Sequence, residues 1–446
     1  MDDSYSMQLN MRKAALIAGL SLFAGSLFAQ SPYEVSQERM EEIYEEVKTP
    51  YKYGLAIVPQ NNDYKIDCPT VFRKGNKWYM TYVVYNGKGA TDGRGYETWI
   101  AESPNLLEWH TLGRILSFRE NTWDCNQRGG FPALSDMEWG GSYTLQSYKG
   151  KYWMTYIGGE GIGYEAITAP LHIGLAWTDQ DIATAHEWKS ADEPIVSIHD
   201  KDAQWWEKLT EYKSTVYWDK DRTLGAPFVM FYNAGGRHPD TGLKGERVGN
   251  PVFAHESDGT ITGDAHIQKM GDVYVMFYFS AFHPERRYKA FNTFAASYDL
   301  VHWTDWKGAD LVIPSKEYDE MFAHKSYVIK HDGVVYHFYC AVNNAEQRGI
   351  AVATSKPMGR SAVRFPKPET KNRRMITELN EGWKTWLIDN SQLTIDNSKS
   401  NHQSPIINCQ IPHNWDDYYG YRQLTHGNLH GTAMYVKDFS LDNCPL

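Results

Sequence analysis

The fold is decided by a short stretch of sequence, IDCPTVF at residues 66–72, followed across Gly75 by WYMTY at residues 78–82. Both segments are rich in β-branched and aromatic residues, and a glycine between two such segments is typical of a β-hairpin. The second segment, an aromatic strand that ends in Tyr, returns four more times along the sequence. The copies are YWMTY at 152–156, FVMFY at 228–232, YVMFY at 274–278 and VYHFY at 335–339. We call these five segments the Tyr strands.

A second element follows each Tyr strand, and it contains Ala and Ser and in several copies closes on Trp. Ala101 precedes Trp109 by eight residues, and Ala295 precedes Trp303 by the same distance. Each repeat is therefore longer than a hairpin and suits a four-stranded sheet. One sheet cannot bury both of its faces, and radial packing of several sheets solves this problem. The sequence predicts an all-β fold, a five-bladed β-propeller, with a β-sandwich of coincidentally similar strands as the alternative.

The composition excludes several classes of protein. The protein has 446 residues and a formal net charge of −10, which disfavours binding to nucleic acid or anionic lipid. A hydrophobic fraction of 42% is enough for a packed core and argues against disorder. Five cysteines without a CxxC pair indicate neither a zinc knuckle nor a full disulfide framework. We expect no cofactor and no metal.

The ends of the sequence differ from its centre. A basic pair at residues 12–13 precedes an apolar run over 14–28, which is typical of a cleavable signal peptide over residues 1–29. The mature protein is therefore expected to be periplasmic or secreted, and no later apolar run is long enough to span a membrane. The predicted domains are a helical leader at 30–50, the propeller at 51–359, a linker at 360–380 and a further segment at 381–446.

Ionisable residues recur at one position in the repeats. Counting back from the last Tyr of the Tyr strand, Asp67 and His324 lie 15 residues before it and Asp264 lies 14 before it. Glu211 lies 21 residues before it, because the turn between Glu211 and the third Tyr strand is longer. Gly141 occupies the corresponding position in the second repeat. The first strand of each blade lines the channel of a propeller, so these side chains are predicted to converge. Two carboxyl groups that are close together repel each other when both are ionised, so one has a raised pKa and stays protonated while the other stays ionised. Glycoside hydrolysis needs such a pair, one group as the acid and one as the base.

Five further residues are candidates for binding a substrate. His266 and Lys325 adjoin the predicted catalytic residues, and Glu138 and Trp139 precede the second Tyr strand. Arg286 lies in a loop after the fourth Tyr strand. Each has a structural alternative. His266 can be a structural hydrogen-bonding residue, Arg286 a solvated surface residue, and the others loop or surface residues.

The first repeat resembles glycoside hydrolase family 43, and the similarity extends over roughly residues 51–358. This resemblance implies an inverting enzyme that acts at the ends of glycans, often a xylosidase or an arabinofuranosidase. It implies Asp67 as the general base, Asp264 as the general acid and Glu211 as the residue that tunes the pKa of the acid. The combination of Asp264 with His324 is also similar to glycoside hydrolase family 117, which makes His324 the alternative acid.

The C-terminal segment resembles a different family. EGW at 381–383, IPHNW at 411–415 and YVKDF at 435–439 are similar to the start of the sugar-binding β-sandwich of glycoside hydrolase family 2. The segment is too short for the whole sandwich, and we therefore predict a partial one. No catalytic residue is inferred from this resemblance.

Together these observations predict an exo-acting glycoside hydrolase that releases a sugar from the non-reducing end of a plant or algal polysaccharide or oligosaccharide. Two alternatives remain open. A glycoside phosphorylase would need a basic cluster beside the acid, for which Arg237, Arg286 and Lys325 are candidates. A propeller that binds a glycan without cleaving it would keep the pocket but lack a working pair of carboxyl groups.

Overall fold

The computed structural model describes residues 31, 33–86, 94–163, 170–220, 222, 224–236, 252–255 and 260–367, and the backbone of 429–435. The architecture is an all-β propeller, as the repeats predict. Five consecutive groups of strands, which we call units 1 to 5, each contain one of the Tyr strands. The predicted signal peptide and most of the segment at 381–446 lie outside the described residues.

The strands are numbered in sequence order. Unit 1 contains β2 (Tyr64–Lys74), β3 (Lys77–Asn86), β4 (Gly95–Ser103) and β5 (His110–Leu116). Unit 2 contains β6 (Gln127–Pro132), β7 (Tyr152–Gly159), β8 (His172–Thr178) and β9 (Lys189–Ser190). Unit 3 contains β10 (Thr210–Trp218) and β11 (Phe228–Gly236), and unit 4 contains β12 (Ile261–Met270), β13 (Val273–Ala281), β14 (Ala290–Ser297) and β15 (Thr304–Asp305). Unit 5 contains β16 (Phe322–His331), β17 (Val334–Val342) and β18 (Arg348–Thr354), and it also includes β1 (Tyr51–Ile57) from the N-terminal side of unit 1.

Hydrogen bonding divides these strands into four sheets, so the prediction of five separate sheets is corrected. The reason is strand β19 (Leu429–Tyr435), which pairs antiparallel with β11 and touches β12 through one residue pair. Units 3 and 4 therefore share one seven-stranded sheet. Strand β1 pairs with β18, so the two ends of the propeller meet in unit 5 and its ring is closed.

Each Tyr strand carries a buried tyrosine whose hydroxyl group needs a partner, since an unpaired buried hydroxyl is costly. In units 2 to 5 the hydroxyl donates to a carboxylate outside the Tyr strand. The pairs are Tyr156 with Asp124, Tyr232 with Glu207, Tyr278 with Asp305 and Tyr339 with Asp319. In unit 1, Tyr82 instead lies 2.8 Å from the hydroxyl of Thr111. The recurring Tyr therefore links each Tyr strand to another segment.

The inner strand of unit 2 differs from the prediction. It is β6, which pairs with the Tyr strand β7 from Gln127 to Pro132, whereas Gly141 lies in the connection between these two strands. That connection is longer than a hairpin turn, so counting back a fixed number of residues misses the inner strand.

Before the first strand, helix α1 (Gln37–Val47) packs against units 4 and 5. Its first turn is capped by the Ser36 side chain, which accepts a hydrogen bond from the amide of Arg39. Met40, Ile43 and Val47 form its buried face. Within the described ranges, no helix has the length and apolar character needed to cross a lipid bilayer.

Candidate active site

A pocket opens where the inner strands begin, and every unit contributes to its wall. Most of its lining is apolar, including Phe131 of unit 2 and Phe279 of unit 4. A few polar and ionisable side chains also line the pocket. They are Cys68, Tyr96, Tyr212, Lys213, Asn233, Thr262, Asp264, His324 and Lys325. An apolar pocket with a few converging polar groups is typical of a ligand site.

Four inner strands are irregular at the same point along their length. The pairing of β2, β10, β12 and β16 with the following Tyr strand shifts just after Asp67, Glu211, Gly263 and His324, respectively. Two residues of the inner strand then follow before regular pairing resumes, which is a β-bulge that redirects side chains. The first residue of each bulge lines the pocket, and these residues are Cys68, Tyr212, Asp264 and Lys325.

Three of these four bulge residues have a left-handed backbone conformation that non-glycine residues rarely adopt. The φ angles are 47° at Cys68, 59° at Asp264 and 58° at Lys325. Such strain costs on the order of 1 to 3 kcal/mol per residue and is concentrated at functional sites. The repeated bulge therefore marks this end of the propeller as a functional site.

The bulge also changes which predicted residues are equivalent. Asp67, Glu211 and His324 occupy the position before the bulge, whereas Asp264 occupies the first position inside it. Asp264 is thus the counterpart of Cys68 rather than of Asp67. The difference of one residue in the count back from the Tyr strand reflects this offset. Asp264 lines the pocket, as does His324, whereas Asp67 and Glu211 are not among the lining residues.

The carboxylate of Asp67 is 1% exposed and is held by two cations. Its Oδ2 lies 2.7 Å from Nζ of Lys325 and 3.2 Å from Nη1 of Arg348, and its Oδ1 accepts from the amide of Cys68. Burial acts to raise the pKa of Asp67, but Lys325, Arg348 and His324 outweigh it and hold this pKa well below its usual range. Asp67 is therefore ionised at every physiological pH.

Asp264 and Lys213 form the second ionic contact of the site. Nζ of Lys213 lies 3.5 Å from Oδ2 of Asp264, and the ammonium group also lies over the ring of Phe131. The amide of Asp264 donates to Oδ1 of Asn233 at 2.8 Å, which fixes the strained backbone. Within the described residues, Oδ2 of Asp264 accepts no hydrogen bond. This carboxyl group is therefore the one that faces the pocket with free acceptor capacity.

Glu211 is fully buried, and neither of its carboxyl oxygens has a hydrogen-bond partner among the described residues. Burial, assisted by Glu207 and Asp200, raises the pKa of Glu211 to about 9. The side chain is therefore protonated and neutral at pH 7. Its predicted role as a residue that tunes the acid is not visible in any direct contact with Asp264.

His324 lines the pocket, and its Nδ1 lies 3.2 Å from the carbonyl oxygen of Cys340. Burial, opposed by Asp67, lowers the pKa of His324 to about 3. The ring is thus neutral near pH 7, which disfavours its alternative role as the proton donor. Asp67, His324 and Cys340 lie close enough to share a metal ion, but Asp67 is already neutralised by Lys325 and Arg348. This donor set therefore fits a divalent cation poorly.

Several predicted binding residues lie outside the pocket lining. The ring of His266 is buried against Tyr327, and its Nδ1 accepts from the amide of Val328. Arg286 lies in the loop between β13 and β14 of unit 4, but its guanidinium group pairs with Asp310 at 2.8 Å. Lys325 is the predicted binding residue that does line the pocket.

Glu138 and Trp139 lie at the opposite end of the inner strands. The amide of Trp139 donates to the carbonyl of Lys269, and its indole donates to Glu46 in helix α1. Glu138 forms an isolated bridge with the same lysine. Lys269 is five residues beyond Asp264 along β12, which corresponds to about 17 Å. Glu138 and Trp139, which were predicted to bind the substrate, therefore lie at the other end of β12 and outside the pocket lining.

The sequence interpretation missed four residues that build the site: Lys213, Tyr212, Asn233 and Arg348. Tyr212 and Lys213 follow Glu211 directly. Had the bulge been predicted, these two residues would also have been candidates for the pocket wall. Asn233 follows the third Tyr strand, opposite the bulge, at the position that a Tyr occupies in units 1, 4 and 5. Arg348 carried no signal, because it reaches Asp67 only through the closure of unit 5 onto unit 1.

The pocket thus combines an ionised carboxylate held by two cations with a second carboxyl group whose acceptor capacity is free. Both carboxyl groups are near the thiol of Cys68. Burial, opposed by Lys325 and assisted by Asp67 and Asp264, raises the pKa of that thiol. Two carboxyl groups with different surroundings can serve as an acid and a base in the cleavage of an acetal.

Two solved structures share 80% sequence identity with this protein at a TM-score of 0.74. Each match covers 76% of this protein and 100% of the other. One is described as a complex of BT0996 with RGII and the other as a glycoside hydrolase. A thermostable family-43 glycoside hydrolase has 18% identity and a TM-score of only 0.43, so nothing further is concluded from it. No protein-family model and no curated protein matches the sequence.

Proposed function

Because this protein belongs to the glycoside hydrolases, we propose that it removes a sugar from the non-reducing end of an RGII oligosaccharide bound in the pocket. The 80% identical relative described in complex with RGII supports this choice of substrate. The observation that carries the proposal is the pocket itself, where Asp264 lines the wall in an ion pair with Lys213 and Asp67 remains ionised behind Lys325. A xylosidase-like or arabinofuranosidase-like specificity follows from the sequence resemblance.

The proposed reaction inverts the configuration of the anomeric carbon. Asp264 donates a proton to the glycosidic oxygen as the bond to the leaving group breaks. The family resemblance assigns to Asp67 the proton of the water that attacks the opposite face of the sugar. Because its carboxylate lies behind the pocket lining, this water must reach it past Lys325. An ionised carboxylate is the form that a general base must have, and the two cations beside Asp67 maintain that form. Glu211, which directly precedes Tyr212 of the pocket wall, is proposed to support that wall in its neutral form.

Incubating the purified protein with RGII oligosaccharides tests this function. Proton NMR of the first product should show a single released sugar, initially with the anomeric configuration opposite to that in the substrate. Asp264→Asn and Asp67→Asn should each lower kcat by about 10²- to 10⁴-fold. Release of an internal fragment, or of the unchanged anomer, would contradict the exo-acting or the inverting assignment.

A glycoside phosphorylase is the second candidate, and three cations at the site, Lys213, Lys325 and Arg348, favour it. Arg286, one of the residues expected to supply phosphate binding, instead pairs with Asp310, and Arg237 lies outside the described residues. Turnover that requires inorganic phosphate and yields a sugar phosphate would establish this reaction. Binding of the oligosaccharide without any cleavage would favour the non-catalytic alternative.

We also propose that the enzyme is exported through the signal peptide at 1–29. The segment at 381–446 is proposed to belong to a sugar-binding β-sandwich. N-terminal sequencing of protein recovered from periplasmic and cytoplasmic fractions tests the first proposal, since the exported protein should start close to residue 30.

A further inference from the structure

We propose that Lys213 is a positioning residue for Asp264, holding one carboxyl oxygen in the wall of the pocket and leaving the other for the substrate. The proposal rests on the function given above, because Asp264 is the group assigned there to the glycosidic oxygen. Neither the repeats nor the resemblance to known families singles out Lys213.

Lys213 and Asp264 form an enclosed ion pair. Nζ of Lys213 and Oδ2 of Asp264 are both enclosed, and neither atom forms a hydrogen bond with the described residues. They lie 3.5 Å apart, and the side chain of Lys213 is 4% exposed. Within the described part of the molecule, Asp264 is the only ion-pair partner of Lys213. An enclosed ammonium group is costly without such a partner, so Lys213 and Asp264 stabilise each other.

The backbone holds the two side chains in this relation. Lys213 is the second residue of the bulge in β10, and Asp264 is the first residue of the bulge in β12. The hydroxyl of Thr215 donates to the carbonyl of Ala265 at 3.0 Å and ties the two strands together beside the ion pair. Phe131 lies under the ammonium group, with its ring centroid 5.4 Å from Nζ. The position of Lys213 is thus fixed without any ligand.

The other ionisable groups around Asp264 come from every neighbouring unit. Among the cations that the structure describes, Lys213 is the one that forms an ion pair with Asp264. The remaining groups are Asp67, Cys68 and Tyr96 from unit 1, Glu211 and Tyr212 from unit 3, His266 on the same strand, and His324, Lys325 and Arg348 from unit 5.

This arrangement has a consequence for catalysis. When Asp264 gives its proton to the glycosidic oxygen, a carboxylate forms in an apolar pocket. The ammonium group of Lys213 stabilises that negative charge, because an opposite charge at this distance favours the ionised form. Lys213 therefore influences the pH at which the acid stops working, which is the alkaline limb of the pH–rate profile.

The test compares kcat/KM across pH for the wild type, Lys213→Met and Lys213→Arg, with RGII oligosaccharides as substrate. Lys213→Met should move the alkaline limb upward by about 1 pH unit and lower kcat by about tenfold or more. Lys213→Arg keeps the charge and should restore the position of the limb. Lys330→Met is the matched control, because Lys330 pairs with Glu46 at the far end of the propeller and should leave both limbs unchanged.

A second measurement keeps the proposal testable if no sugar is released. The carboxyl carbons of ¹³C-labelled aspartate can be titrated by NMR, with Asp264 identified by loss of its signal in Asp264→Asn. Its midpoint should rise in Lys213→Met and return in Lys213→Arg. An unchanged midpoint, with only a lower thermal transition, would show a purely structural role and overturn the proposal. A shift of the acidic limb instead would support the contact but make Asp264 the base, which contradicts the proposed reaction.

Discussion

Asp67 in unit 1 and Glu211 in unit 3 occupy the same position before the bulge of an inner strand, yet their surroundings give them opposite protonation states. Asp67 meets Lys325 and Arg348, so its pKa falls well below the ordinary value of 3.8. Glu211 meets the carboxyl groups of Glu207 and Asp200, and burial raises its pKa from 4.5 to about 9. Both side chains are almost completely buried. The difference shows that the repeat places a carboxyl group, whereas the groups around it decide whether it is charged.

The groups around Asp67 and Glu211 differ because the ring of units closes next to Asp67, between unit 5 and unit 1. Strand β1 joins unit 5, and unit 5 then packs its cations against the start of β2. Unit 3 lies between units 2 and 4, and its Glu211 faces the segment that carries Glu207 instead.

The largest effect is expected on catalysis. Asp67→Asn should lower kcat by about 10³-fold, because an amide cannot accept the proton of the attacking water. Glu211→Gln should lower it by less than about tenfold, since the replaced side chain is already neutral. Steady-state kinetics at pH 7 measures both variants. Equal losses would mean that the two carboxyl groups act together rather than in different states.

The next effect is on stability. Arg348→Met should lower the free energy of unfolding by about 3 kcal/mol, because it leaves Asp67 buried with one cation instead of two. Urea denaturation measures this loss. The double variant Asp67→Asn with Arg348→Met should recover part of it, and a double variant less stable than Arg348→Met alone would refute the ion-pair explanation.

The effect of pH on stability should have opposite signs for the two residues. The pKa of Glu211 is raised in the folded state, so its contribution is fully present below about pH 4.5 and is lost as the pH rises toward 9. Between these limits the wild type should lose about 1 kcal/mol per pH unit relative to Glu211→Gln. The pKa of Asp67 is lowered, so its contribution is present above about pH 3.8 and is lost on acidification. Urea denaturation from pH 3 to pH 8 compares the wild type with Glu211→Gln and with Asp67→Asn. A wild type and a Glu211→Gln variant with parallel pH dependences would contradict the protonated state of Glu211.

The smallest effect concerns the bulge in unit 4. A Cβ at Gly263 would lie 2.9 Å from Nδ2 of Asn233 and 3.1 Å from the ring of Phe279. Gly263→Ala should therefore displace Asn233, which holds the amide of Asp264, and lower kcat/KM by a few fold without unfolding the protein. Kinetics and the thermal transition together check this expectation. Wild-type kinetics in Gly263→Ala would mean that Asn233 does not fix the bulge.

The repeats were readable because hydrophobic alternation and hairpin glycines are local signals. The five Tyr strands, the short helix before the propeller and the convergence of Asp264, His324 and Lys325 on one pocket could all be inferred in this way. Gly141 was misplaced because the connection between β6 and β7 is long, and the position of Asp264 relative to Asp67 was obscured by a bulge of one residue. Lys213 and Arg348 gave no local signal at all.

The amino-acid sequence alone determined an all-β protein of five repeats with acidic groups near the start of the inner strands, because strand periodicity depends only on neighbouring residues. The tertiary structure decided which of these groups face the pocket and which carry a charge. A bulge changes the direction of a side chain, and the partner of a buried carboxyl group comes from another unit more than 250 residues away in the case of Lys325 and Asp67. Contacts at that separation depend on ring closure, which no local pattern encodes.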